Sequence, residues 1–136
     1  MDFMKTMSIA ASGLRAQAGR MRIISENIAN ADSTPTTPGG DPYRRKVPTF
    51  VSELDRMIDA RVVTLGKTRI DNSEFRLKYE PGHPAADKNG NVKYPNVNGL
   101  VEMMDMREAQ RSYEANVNVI SATRRMMMRT MEILKA

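Results

Sequence analysis

Residues 98–136 read NGLVEMMDMREAQRSYEANVNVISATRRMMMRTMEILKA, with no proline and one glycine, Gly99, near the start. Counted in sevens, Met103, Met106, Gln110, Tyr113, Val117, Ile120, Arg124, Met127, Met131 and Leu134 fall alternately three and four apart. An apolar seam of that period, broken only by Gln110 and Arg124 and sustained over more than four heptads, predicts one long helix in a coiled coil. At about 1.5 Å per residue it runs roughly 55–60 Å, too long for its own small domain to cover. Asn98 is the expected N-cap, with Glu102 and Asp105 near the positive end of the helix and Arg124, Arg125, Arg129 and Lys135 toward the negative end.

The other end of the chain has the same rhythm. Phe3, Met7, Ala10, Leu14, Gln17, Met21, Ile24 and Ile28 predict a helix over Phe3 to Asn30, closed by Asp32, Ser33, Thr34 and Pro35. The reading is therefore mainly α. It has two long terminal helices, in segments 1–34 and 98–136, pairing as an antiparallel coiled coil, with a small β-rich and irregular middle over 35–97.

Each helix also has a second apolar row spaced by seven and lying off the seam. In the first it is Ile9, Ala16 and Ile23; in the second it is Val119, Met126 and Ile133. Pairing the two helices hides one stripe on each, so the second row is expected to stay open and to be covered by other subunits. On that reading the free monomer has poorly ordered ends.

The middle changes character at Asp32. DSTPTTPGGDP, residues 32–42, is loop chemistry; YRRKVPTF reads as extended, and Val51 to Ile58 as one short helical stretch. ARVVTL at 60–65 and EFRLKY at 74–79 read as strands, and KNGNVKY as a turn into a third, with Asn89-Gly90 the hairpin signal.

Composition removes most chemistry. With no cysteine and one histidine, His83 between Gly82 and Pro84, the chain has no Cys- or His-based zinc set. Gly39-Gly40 lacks the Lys-Ser or Lys-Thr of a phosphate loop, and no GxSxG or SxxK occurs. The expectation is no catalytic residue, no cofactor and no metal. Neither a cleaved signal peptide nor an apolar run long enough to span a membrane is expected. Twelve methionines, eleven of them in the two end segments, supply adaptable apolar surface. The net charge of +5 and the run Arg44-Arg45-Lys46 leave one alternative, a basic helical module that binds nucleic acid. The even spread of charge along the chain counts against it.

SGLRAQAGRMRIISENIANADS, with Asn27 to Asn30 at its core, resembles the N-terminal helix motif of the bacterial flagellar axial proteins, the rod, hook and hook-associated family. VEMMDMREAQRSYEANVNVI, centred on Tyr113 to Asn116, resembles the matching C-terminal motif. TPGGDPYRRKVPTF, YEPGHPAAD and NGNVKYPNVN resemble the short proximal-rod members. The resemblance implies a structural subunit, exported unfolded through the flagellar type III apparatus without a cleaved signal. Such subunits stack helically as a periplasmic rod that links the membrane ring to the distal rod and transmits torque. Partners implied are copies of itself, other rod proteins, the rod–ring junction protein and the membrane ring, with no nucleic acid and no membrane span. Asn27, Asn30, Tyr113 and Asn116 join the second apolar rows as expected interface residues, and Arg44 and Arg45 are expected to touch a neighbouring subunit.

Overall fold

The structure, a computed structural model, describes residues 2–136. Helix α1 spans Phe3–Ala29 and helix α2 Gly99–Lys135, and six short strands lie between them: β1 Lys46–Val47, β2 Phe50–Asp55, β3 Ala60–Leu65, β4 Arg69–Ile70, β5 Arg76–Tyr79 and β6 Asn91–Tyr94. The chain is thus mainly helical with a β middle, as its pattern predicts. Helix α1 is capped by Asp2, whose Oδ1 accepts from the Lys5 N–H at 3.1 Å. Helix α2 is capped by Asn98, whose Oδ1 accepts from the N–H groups of Leu100 and Val101. Two compact units form, and both helices contribute to each.

One unit contains the chain up to Met21, Thr49–Lys67 and Arg107–Ala136. Its sheet is the antiparallel hairpin β2–β3, in register from Phe50↔Leu65 to Asp55↔Ala60. The helical stretch expected over Val51 to Ile58 is therefore a strand and a tight turn. The i, i+3 spacing of Val51 and Leu54 suggests a helix face. Pairing with the β-branched run Val62–Thr64 across a four-residue loop decides otherwise, because a strand next to its partner closes a full hydrogen-bond ladder at little loop cost. The hairpin leans on α1 through β3. Ser12 Oγ accepts from the Val63 N–H at 3.2 Å and donates to the Ile9 carbonyl at 2.6 Å. A Cβ on Gly19 would meet Leu65 Cδ2 at 2.8 Å, so glycine there lets the strand approach.

In the same unit the helices touch in antiparallel sense. A Cβ on Gly13 would lie 2.9 Å from Asn116 Nδ2, and Arg20 Nη2 meets Glu108 Oε2 at 3.2 Å. Small residues occupy the inside: Ala10, Ser12, Ala16, Ala109 and Thr123 are buried. The inward row of α2 is thus Ala109, Asn116 and Thr123. Of the predicted seam, Tyr113, Ile120 and Met127 are half-buried, whereas Gln110, Val117, Arg124, Met131 and Leu134 are exposed. Close helix approach selects small side chains at the line of contact and pushes the bulky ones to its flanks.

The other unit contains Arg22–Pro48 and Thr68–Met106. Strands β1 and β4 pair antiparallel over Lys46↔Ile70 and Val47↔Arg69, and β5 and β6 over Arg76↔Tyr94 to Tyr79↔Asn91. Ile23, Ile24, Ala85, Val92, Pro95 and Val97 form its core. The connection from β5 to β6 takes the whole of residues 80–90, not a two-residue turn at Asn89-Gly90. Gly90 is nevertheless the residue that needs its freedom. Its φ is +81°, and a Cβ would meet the Tyr79 ring at 2.8 Å.

Candidate functional site: a buried polar node and open helix rows

Asn27 lies in the last turns of α1, fully buried. Its amide uses all its common hydrogen-bonding capacity. Oδ1 accepts from the Lys46 N–H at 2.9 Å and the Tyr43 hydroxyl at 2.7 Å, and Nδ2 donates to the Lys46 carbonyl at 2.8 Å and to Glu102 Oε2 at 3.2 Å. One side chain thus holds both main-chain groups of Lys46, as a neighbouring strand would. This fixes where the returning chain starts β1.

Glu102, one turn into α2, is sealed from solvent, and its second oxygen accepts from Arg45 Nε. Arg45 also reaches Asp105 at 3.6 Å and Asp71 at 3.7 Å, and its main-chain N–H donates to Asn96 Oδ1 at 2.8 Å. A buried carboxylate is tolerable only when paired and hydrogen-bonded, and this one is both. Burial works against the Arg45 charge. The hydrogen bond and charge of Glu102, with Asp71 and Asp105 behind them, outweigh that and raise its pKa. Asp71 is held below its ordinary value, first by the main-chain and side-chain hydrogen bonds of Ser73 and then by Arg45. Burial, then the nearby charges of Glu26 and Glu102, push the Tyr43 hydroxyl up to about 12.

The basic run is therefore occupied. Arg44 stacks over the Phe75 ring at 4.2 Å, Arg45 sits in the carboxylate cluster, and Lys46 pairs with Glu26. The expected neighbour-facing role of Arg44 and Arg45 meets an intrachain use of both. Nothing favours a phosphate-binding surface here.

The other expected interface residues divide. Ala16 and Ile23 are buried at 2% and 5% exposure, so the inner part of the α1 row is covered by the chain itself and only Ile9 stays open. Asn27 is buried as described. Asn30 closes α1, donating from Nδ2 to the Glu26 carbonyl at 2.8 Å. Asn116 is half-buried opposite Gly13, and Tyr113 is half-buried beside it in the sequence pattern. On α2 the row is open along its length: Val119, Met126 and Ile133 are 43%, 44% and 75% exposed. Sequence reasoning missed Glu102, Asp71 and Asn96 as members of one node. Glu102 stands seven residues before Ala109 and fourteen before Asn116, so the signal was a polar and small-residue heptad row running beside the apolar one.

Among the described residues no helix is long and apolar enough to cross a membrane. The family pattern described as "Flagella basal body rod protein" matches residues 7–35, and "Flagellar basal body rod FlgEFG protein C-terminal" matches residues 88–133. The flagellar basal-body rod protein FlgC of Agrobacterium fabrum is 57% identical over 128 residues, covering 94% of this chain and 92% of that protein. FlgC of Salmonella typhimurium is 38% identical over 133 residues, 98% of each chain. FlgC of Bacillus subtilis is 37% identical over 145 residues, covering 96% of this chain and 97% of its own. Both helix motifs and the middle that separates them are shared along nearly the whole length, and on that ground the chain belongs to the FlgC family of flagellar basal-body rod proteins.

Proposed function

We propose that this structural, non-enzymatic rod subunit assembles helically through its terminal helices, paired as an antiparallel coiled coil, and so links the membrane ring to the distal rod and carries torque. The supporting observation is apolar surface out of proportion to the core. Among the described residues twenty-two large hydrophobic side chains are exposed, while eight hydrophobic residues are buried. Val119, Met126 and Ile133, seven apart on α2, are the part of that surface best placed to meet other copies and other rod proteins. Asn30 and Tyr113, each half-exposed near a buried neighbour, belong to the same proposed contact set, with Ile9 on α1.

The mechanism is mechanical. Many close-packed helix contacts acting in parallel yield little to twist. Partners on this reading include the rod–ring junction protein and the membrane ring, and the site is the periplasmic rod, reached by type III export without a cleaved signal. Ordering of the outer ends of the terminal helices is coupled to incorporation, so the isolated monomer shows lower helicity by circular dichroism than two full helices require.

Deleting the gene should abolish swimming and leave the membrane ring in place. Motile deletants would overturn the proposal.

A further inference from the structure

The outer edges of β2 and β5 have no hydrogen-bond partner among the described residues, and the two edges match. In the β2–β3 ladder the Gly66 N–H donates to the Thr49 carbonyl at 2.7 Å. Antiparallel pairing alternates, so the main-chain groups of Val51, Glu53 and Asp55 face β3, and those of Phe50, Ser52 and Leu54 face outward. The same alternation turns the Val63 N–H outward on the far side, where it finds Ser12. β3 thus has one outward group, the Val63 N–H, held by α1, while no hydrogen bond among the described residues reaches the outer edge of β2.

β5 has the same property. The Glu80 N–H donates to the Gly90 carbonyl at 2.9 Å, so Arg76 and Lys78 face β6 with their main chain, and Leu77 and Tyr79 face outward. No hydrogen bond among the described residues reaches those outward groups either. Leu54, Leu77 and Tyr79 are 57%, 64% and 71% exposed.

We infer that β2 of one copy takes β5 of a second copy as its missing neighbour, antiparallel, with Leu54 opposite Leu77 and Ser52 opposite Tyr79. This register joins outward groups to outward groups, which only every second register does. It also sets Glu53 opposite Lys78 and Asp55 opposite Arg76, two acidic residues against two basic ones. Lys78 already meets Glu80 at 2.7 Å and Arg76 meets Asp32 at 3.6 Å in the same chain, but both basic side chains stay exposed, so the incoming carboxylates share them. Registers displaced by two residues either way keep only one such pair. Pairing β2 with another β2 would bring no basic residue to Glu53 or Asp55. Because the two surfaces differ, the contact is heterologous and repeats from copy to copy instead of closing as a dimer. The inference rests on the reading of the chain as a rod subunit and adds to it a strand contact outside the helices.

The chain has no cysteine, which makes the test clean. Basal bodies are isolated from cells whose only copy carries Leu54→Cys and Leu77→Cys together, or either alone, and are mildly oxidised. Opposed strand residues lie about 5.5 Å apart between Cα atoms, within disulfide reach. The double variant should give a ladder of linked chains, and each single variant should give monomer. Glu53→Lys or Lys78→Glu, added to the double variant, should each lower the linked yield about fivefold, and the two together should restore it. Unlinked chains in intact basal bodies, a dimer from Leu54→Cys alone, or indifference to both charge reversals would overturn the strand contact and leave the rod reading standing. Absence of the wild-type chain from basal bodies would overturn the rod reading itself, and the strand contact with it.

Discussion

Asn27 Nδ2 and Glu102 Oε2 share a hydrogen bond of 3.2 Å between side chains with almost no solvent exposure, one near the end of α1 and one near the start of α2. Neither group has water to fall back on, so the bond ties the two helix ends through an exact match of donor to acceptor. Asn27→Asp replaces the donor by an anion facing both a carboxylate and the Lys46 carbonyl. A loss of about 3 kcal/mol is expected by urea unfolding, larger than for Asn27→Ala, which removes the amide without adding charge. Equal midpoints for Asn27→Asp and wild type would show that the side chain is not held in this way.

Removing Glu102 strands the Arg45 guanidinium among longer contacts to Asp71 and Asp105 at 3.7 and 3.6 Å. Glu102→Ala should cost about 3–5 kcal/mol, because a charge half withdrawn from water loses its closest partner. The double replacement Glu102→Leu with Arg45→Met should recover much of that, since an apolar pair of similar volume avoids the desolvation altogether. A double variant no better than Glu102→Ala would mean that Arg45 acts mainly through Asn96 and Asp71.

Stability should fall at both ends of the pH scale, for different groups. The Tyr43 pKa in the folded chain, about 12 against an ordinary 10.0, lies above its unfolded value. Between those values the unfolded chain has lost the proton and the folded chain has kept it, so unfolding gains ground as pH rises through that window. The contribution is on the order of 2 kcal/mol, and Tyr43→Phe should remove this alkaline slope. The Asp71 pKa is depressed in the fold, so its contribution is present above the ordinary 3.8 and is lost as pH falls through the folded value. Asp71→Asn should flatten the acid limb. Thermal melts across pH 2–12, read for the three proteins, decide both.

Ile23 and Met126 separate folding from assembly. Ile23 is 5% exposed and Met126 44%. Ile23→Asp buries a lone carboxylate and should lower the stability of the monomer by about 3 kcal/mol or more. Met126→Asp should leave monomer unfolding within about 0.5 kcal/mol of wild type, as expected of an exposed site, while abolishing swimming. Motile cells carrying Met126→Asp would remove this part of α2 from the proposed subunit contact.

Much of the fold is legible because helix periodicity is a long-range signal. Met106, Tyr113, Ile120 and Met127 repeat without a break, and Asn98 supplies the cap at the place where the period begins. What periodicity does not reveal is which of two adjacent rows lies innermost. Both the apolar row and the row of Glu102, Ala109, Asn116 and Thr123 recur every seven residues, and distance of approach chooses between them. That distance depends on Gly13 and Ala16 of the other helix, nearly a hundred residues away in sequence. The strand β2 was hidden for a similar reason. Phe50–Asp55 has no strong preference of its own, and Ala60–Leu65 supplies its ladder. The polar node is the least legible part. Glu26, Asn27, Arg45, Asp71 and Glu102 are ordinary polar residues until the fold brings them within reach of hydrogen bonds and ion pairs.

Each compact unit is stitched from separated pieces of the polypeptide, and one of them requires both the opening residues and the closing thirty, Arg107–Ala136. A chain synthesised amino end first therefore has nothing complete to assemble during most of its synthesis. Its early portion waits, locally helical at most, for a mate that arrives last. The last turns to be made are also those that let the first ones settle.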